Sequence, residues 1–116
     1  MTVPPSHEFR REPSHRCGVT LMDSQVGRAV ADAMRGKPGV SVEDLGSMIR
    51  IDADGRLEFG FAELAVAVGE EFDQNAFEEI LSTHYGRLVA LDDRMVLFAD
   101  PEDAAHYLGF DLPRAP

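Results

Sequence analysis

The stretch Ile49-Arg50-Ile51-Asp52-Ala53-Asp54-Gly55-Arg56-Leu57-Glu58-Phe59 decides the fold class. Apolar and charged side chains alternate on both sides of an Asp-Gly pair, the signature of two half-buried strands meeting at a turn. A two-residue loop at Asp54-Gly55 would set Ile51 against Glu58. A three-residue loop, Ala53-Asp54-Gly55, pairs Ile51 with Leu57 and Ile49 with Phe59 on one face, and Arg50 with Glu58 and Asp52 with Arg56 on the other. Every cross-strand pair then matches, so a hairpin with Gly55 at positive φ is the expectation.

Working outward, Cys17-Gly18-Val19-Thr20-Leu21-Met22 reads as a first strand. Asp23 or Ser24 can cap the helix that follows, where Val26, Ala29, Val30, Ala33 and Met34 recur at helical spacing until Gly36 and Pro38. Val40-Ser41-Val42 is a short strand, and Gly46 with Ser47 a break. After Phe59, a stripe of Phe61, Leu64, Ala65 and Val68 ends at Gly69, and Asp73 caps a second helix buried through Phe77, Ile80 and Leu81. Leu88-Val89-Ala90-Leu91 and Met95-Val96-Leu97-Phe98 read as strands about a turn at Asp92-Asp93. Asp100-Pro101-Glu102-Asp103 starts a last helix that continues through Ala104, Ala105 and Leu108 to Gly109. The expected order is strand, helix, three strands, two helices, two strands, helix. This is an α+β domain, a mainly antiparallel sheet with helices packed on it. The last two strands are apolar on both faces. Either both faces are covered, or one is left for a partner.

The chain has 116 residues, 44% hydrophobic, enough for one domain with a real core. Residues 17–112 form that domain in this reading, with 113–116 a C-terminal tail. Residues 1–16 hold Pro4, Pro5 and Pro13, three arginines against two glutamates and few apolar side chains, so a mobile tail is expected there. It is either inert or becomes ordered on a partner. The formal net charge of the chain is −10, all the negative excess lying in the body, which argues against nucleic acid and anionic lipid as partners. A single cysteine, Cys17, permits no intrachain disulfide, and neither a membrane-length apolar run nor a signal-like N-terminus is present, so a cytoplasmic location is expected.

The search for chemistry is mostly negative. No glycine-rich phosphate loop, CxxC or HExxH is present. Asp52-x-Asp54-Gly55 has its glycine too early for a calcium loop, which also lacks its closing glutamate. His7, His15 and Cys17 lie in or beside the tail and make a poor metal set. Glu78 and Glu79 point in different directions on a helix, and His106 reads as a surface or satisfied side chain. No catalytic residue, metal ligand or cofactor site is assigned.

The exception is Ser82-Thr83-His84-Tyr85-Gly86-Arg87, lying between a helix and a strand where a short turn would suffice. It combines small hydroxyls, an imidazole, a ring and a cation on an acidic protein, which is the chemistry of a contact surface. Ser82, Thr83, His84, Tyr85 and Arg87 are therefore candidate docking residues. Two other classes compete: a generic acidic adaptor for a basic protein, and a small acid–base enzyme using His84, which lacks an apparent nucleophile or orienting carboxylate.

Cys17–Met22, Ser47-Met48-Ile49-Arg50-Ile51, Glu71-Phe72-Asp73, Ser82–Arg87, Leu91-Asp92-Asp93 and Pro101–Ala105 together resemble the coupling, or effector, proteins of bacterial soluble diiron monooxygenases. The resemblance is closest to the propane monooxygenase type, and the methane monooxygenase member has a similar Ser-Ser-Thr-Ile-Gly-Arg in the place of Ser82–Arg87. It implies a cofactor-free, non-enzymatic component that docks on the hydroxylase, works alongside its reductase and couples reductant use to hydrocarbon oxidation. It also implies that Ser82 and Thr83 lie at the hydroxylase surface.

Overall fold

The computed structural model describes residues 15–108. Seven strands and four helices follow in the order β1 (Arg16–Met22), α1 (Gln25–Arg35), β2 (Val40–Asp44), β3 (Met48–Asp54), β4 (Arg56–Gly60), α2 (Phe61–Val68), α3 (Gln74–Ile80), β5 (Leu81–Tyr85), β6 (Arg87–Ala90), β7 (Arg94–Phe98) and α4 (Pro101–Leu108). The class is the expected α+β, with one strand more than the sequence suggested, because Leu81–Tyr85 is a strand and not a loop. The expected tails, residues 1–16 and 113–116, fall almost wholly outside the described residues, as does Gly109.

Two antiparallel sheets carry the fold. One has the order β2-β3-β1-β5, the other β4-β7-β6. The expected hairpin between Ile51 and Leu57 does not form. Ile51 pairs with Val19 and Val42, while Leu57 pairs with Leu97. The alternation is real, since Ile49, Ile51, Ala53, Leu57 and Phe59 are all buried. But two strands whose inner faces meet in one core give the same pattern as two strands side by side. Longer-range ladders with β1 and β7 take the backbone groups that the hairpin would have used.

The single residue between β3 and β4 is Gly55, at φ 76° as expected. Its N–H donates to the His15 carbonyl at 2.6 Å, and its carbonyl accepts from the Ala99 N–H at 2.9 Å. The second crossing between sheets, β5 to β6, is also one glycine, Gly86, at φ 109°. β3 and β5 thus flank β1 in one sheet, and their continuations β4 and β6 flank β7 in the other. Strands that switch sheets at bends are the usual corners of a closely packed sheet pair.

Cys17 sits where the two central strands meet. It is fully buried, with its Sγ 3.5 Å from the Leu97 carbonyl oxygen and 3.8 Å from that of Ala53. Around it lie Val19, Leu21, Ile51, Leu57, Met95 and Leu97, closed by Val30 and Met34 of α1, Leu64 of α2 and Phe77 of α3. The Phe59 and Phe77 rings lie 4.9 Å apart, a favourable tilted pair. Ser24 caps α1 by accepting from the Gly27 N–H at 3.0 Å, and Asp73 caps α3 through the Ala76 N–H at 2.9 Å.

The doubly apolar strands resolve in favour of two covered faces. Met95 and Leu97 face the main core, while Val96, Phe98 and Val89 form a second cluster with Ala104 of α4. α4 begins with the Asp100 side chain accepting from the Glu102 N–H at 2.9 Å.

Two predictions follow from these crossings. A Cβ at Gly86 would lie 2.8 Å from the Phe98 carbonyl oxygen and 2.9 Å from the Cys17 Cβ, at a positive φ. Gly86→Ala should therefore cost about 2 kcal/mol or more, lowering the melting temperature by roughly 10 °C. Gly36→Ala, with open space and φ −86°, should change little. Equal melting shifts in calorimetry would contradict this. For Cys17, burial first and then the nearby Asp52 carboxylate push the thiol up to about 11 from 9.0. Folding favours the neutral thiol, so this contribution to stability is whole below pH 9.0 and is lost as pH rises towards about 11. The native thiol should resist alkylation at pH 8 and react once denatured. The urea midpoint should fall across the alkaline window, with Cys17→Ala lacking that part of the decline.

Candidate functional site

Among the described residues β5 is an edge strand paired only with β1. Gly18 pairs with Tyr85, Val19 with His84 and Thr20 with Thr83, after which Leu21 pairs with Leu81. Ser82 is skipped by this register and marks a β-bulge, a device that re-aims side chains and discourages further edge pairing. From Ser82 to Arg87 every residue is exposed. Four of the five candidate residues thus share the β5 edge, and Arg87 begins β6 at the edge of the other sheet, without all five converging on a point. Thr83 and Tyr85 belong to the outer face of the four-stranded sheet. His84 and Arg87 line an open groove where β5 passes into β6.

Tyr85 is not simply presented to solvent. One register row runs Ser41, Asp52, Gly18, Tyr85 across all four strands. Gly18 has no side chain, so the Tyr85 ring reaches over it and its hydroxyl donates to Asp52 Oδ1 at 2.7 Å. A Cβ on Gly18 would lie 2.2 Å from that oxygen and 2.8 Å from the Tyr85 ring. Beside this row Arg16 donates to Asp54 at 3.0 Å and to Ser41 Oγ at 3.1 Å. The row clamps the edge strand onto the sheet, while the tyrosine remains 43% exposed. Burial, then the hydrogen bond and charge of Asp52, raise the Tyr85 phenol above its ordinary value.

Arg87 differs from every other described cation. Arg16 pairs with Asp54 at 3.0 Å, Arg28 with Asp23 at 2.9 Å, Arg35 with Asp32 at 3.5 Å and Lys37 with Glu63 at 3.0 Å. Arg50 lies 3.9 Å from Glu43, Arg94 3.6 Å from Glu58, and Arg56 also pairs with Glu58. The Arg87 side chain makes no ion pair or hydrogen bond among the described residues, and neither does the His84 side chain. In register Arg87 lies opposite Phe98, whose other ladder partner is Arg56, with the Arg56 guanidinium 6.0 Å from the Phe98 ring centroid.

Among the described residues no group of three or more His, Cys, Asp or Glu side chains could hold a metal ion, and no helix is long and apolar enough to cross a membrane. His84 has no bonded carboxylate among them, so nothing orients it as a base. Sequence reasoning missed Gly18, Asp52 and Arg16 as the support of Tyr85. The one available signal was a glycine inside a strand pattern, which marks close approach of another group.

Comparison with known proteins identifies the same frame. The model of the MmoB/DmpM family matches residues 15–98. A propane 2-monooxygenase effector component of Gordonia sp. (strain TY-5) is 56% identical over 101 residues, covering 87% of this chain and 91% of its own. Proteins of the same description from Mycolicibacterium smegmatis and Rhodococcus jostii are 57% and 55% identical over 101 residues, covering 87% of this chain and 89% of each relative. In structure, a chain from a phenol hydroxylase–regulatory protein complex is similar with a TM-score of 0.65 at 21% identity, covering 72% of this chain and 97% of its own. The soluble methane monooxygenase regulatory protein B is similar at 0.63 and 19% identity, covering 95% of this chain and 77% of that one. At those identities the likeness establishes the fold.

The clamp yields a prediction. Tyr85→Phe removes one hydrogen bond at a half-exposed site and should destabilise by about 1 kcal/mol. It should also remove the phenol absorbance step that titrates above 10.0. Because the folded phenol is raised, its contribution to stability holds below pH 10.0 and fades above it. Loss of a step at the ordinary phenol value of 10.0 instead of above it would contradict this.

Proposed function

The chain belongs to the MmoB/DmpM family, and from that premise we propose that it is the effector component of a propane-type soluble diiron monooxygenase. The observation that carries this reading is identity of 55–57% over 101 residues to three propane 2-monooxygenase effector components. In this role the protein performs no chemistry of its own. It docks on the hydroxylase in the cytoplasm and ties electrons delivered by the reductase to hydrocarbon oxidation. Residues 17–112 are the docking unit, and residues 1–16 an accessory whose loss reduces coupling modestly.

Docking can act on a distant reaction centre only by binding one hydroxylase conformation better than another. A tenfold shift in that balance needs about 1.4 kcal/mol of differential binding, which a few contacts supply. The surface proposed for those contacts is Ser82, Thr83, His84, Tyr85 and Arg87. Its support is an exposed, bulged edge strand held in register by the Tyr85–Asp52 bond, beside a cation that the domain leaves unused. A rigid edge loses little entropy on binding, so its contacts count towards affinity.

The test is reconstitution with hydroxylase and reductase. Adding the protein should raise the product formed per reductant consumed, saturating with concentration. Thr83→Arg, placed on the exposed edge, should raise the half-saturating concentration at least about tenfold with little change in melting temperature, as expected for a blocked interface centre. No effect of the wild-type protein on coupling would refute the function. Wild-type titration by Thr83→Arg would refute the surface.

A further inference from the structure

The groove at the junction of the two sheets is lined by His84, Gly86, Arg87, Leu88, Val89 and Ala90, with a volume of about 580 Å³. Resting on the docking reading above, we propose that it receives a segment of the hydroxylase that carries a carboxylate beside apolar side chains, with the carboxylate pairing to Arg87.

The protein has 21 carboxylate residues and a net charge of −10, yet none of the groove's lining residues is acidic. The two lining residues able to donate from side chains, His84 and Arg87, make no internal bonds among the described residues. Seven other described cations are each within 4.0 Å of a carboxylate, as a strongly acidic surface would dictate. A guanidinium left without a carboxylate in such a field is available for one brought by a partner, where the planar fork can bind in bidentate fashion.

The remaining lining is apolar or small. Leu88, Val89 and Ala90 line it along β6, with Ala90 exposed, and Gly86 adds no side chain. A lining that mixes polar groups with apolar atoms beside one cation suits an amphipathic segment better than a fully solvated acidic tail. The walls are also fixed. Leu88 packs on the main core and Val89 on the second, and the β5–β6 corner is held by Gly86 against the Phe98 carbonyl. β5 and β6 are both edge strands, so the groove opens along the flank that carries Ser82 and Thr83.

The experiment is a charge series at Arg87, with Lys, Gln and Glu, titrated against hydroxylase in the full three-component system. The proposal expects graded weakening. Arg87→Lys should raise half-saturation by about threefold or less, Arg87→Gln by about tenfold, and Arg87→Glu by about thirtyfold or more. The isolated variants should melt within about 2 °C of wild type, as for an exposed side chain without an internal pair. Equal effects of all three substitutions, or tighter binding by Arg87→Glu, would overturn the proposal, the latter by revealing a basic partner surface. A fall of more than about 5 °C in the isolated Glu variant would also overturn it, by assigning Arg87 to its own chain. If Thr83→Arg blocks activation while the Arg87 series is flat, the docking surface stands and the carboxylate is wrong. If both are silent, both readings fail.

Discussion

The packing of Cys17 between the Leu97 and Ala53 carbonyls is the contact on which the rest of the structure depends. It brings the central strands of the two sheets close enough for single residues to carry the chain from one sheet to the other. Gly55 and Gly86 make those crossings on either side, both at positive φ. A cysteine suits the position because its sulfur is small, apolar and a weak donor to the carbonyls it meets. A larger side chain would drive the sheets apart, and both corners would have to open with them.

That constraint places the proposed site. Since β5 must end at Gly86 to cross, its last residues lie where the two sheets join, and Arg87 emerges at the start of the next edge strand. The same geometry sets Tyr85 opposite Gly18, where the ring can lie flat and reach Asp52. The edge is therefore held at one end by the corner and along its outer face by the tyrosine. In a domain proposed to act by being bound, rigidity at the proposed contact edge keeps the ordering cost of association low.

Much of this was legible in the sequence, and the failures have physical causes. The helices were found because their caps and 3.6-residue stripes are local, as at Ser24 and Asp73. Buried faces were assigned correctly for Ile49, Ile51, Leu57 and Phe59, because period-2 burial does not depend on which strand lies alongside. Pairing does depend on it, so the matched pairs about Gly55 suggested a hairpin where the chain turns a corner. Leu81–Tyr85 was missed as a strand because its polar residues carry no apolar alternation. Its ladder with β1 and the bulge at Ser82 are set by a partner sixty or more residues away in sequence. The proposed docking residues stood out by composition alone. Their division into an outer face and a groove, and the isolation of Arg87 from internal carboxylates, needed the fold.

The central claim, that the β5–β6 flank is where the hydroxylase binds, is tested most directly by amide hydrogen exchange of the protein with and without saturating hydroxylase. Edge-strand amides that exchange readily in the free protein become protected only where a partner covers them. The account predicts the largest gain in protection across residues 81–90, with β2, on the opposite edge of the same sheet, little changed. Protection concentrated on β2 or α1, with residues 81–90 exchanging as in the free protein, would contradict it.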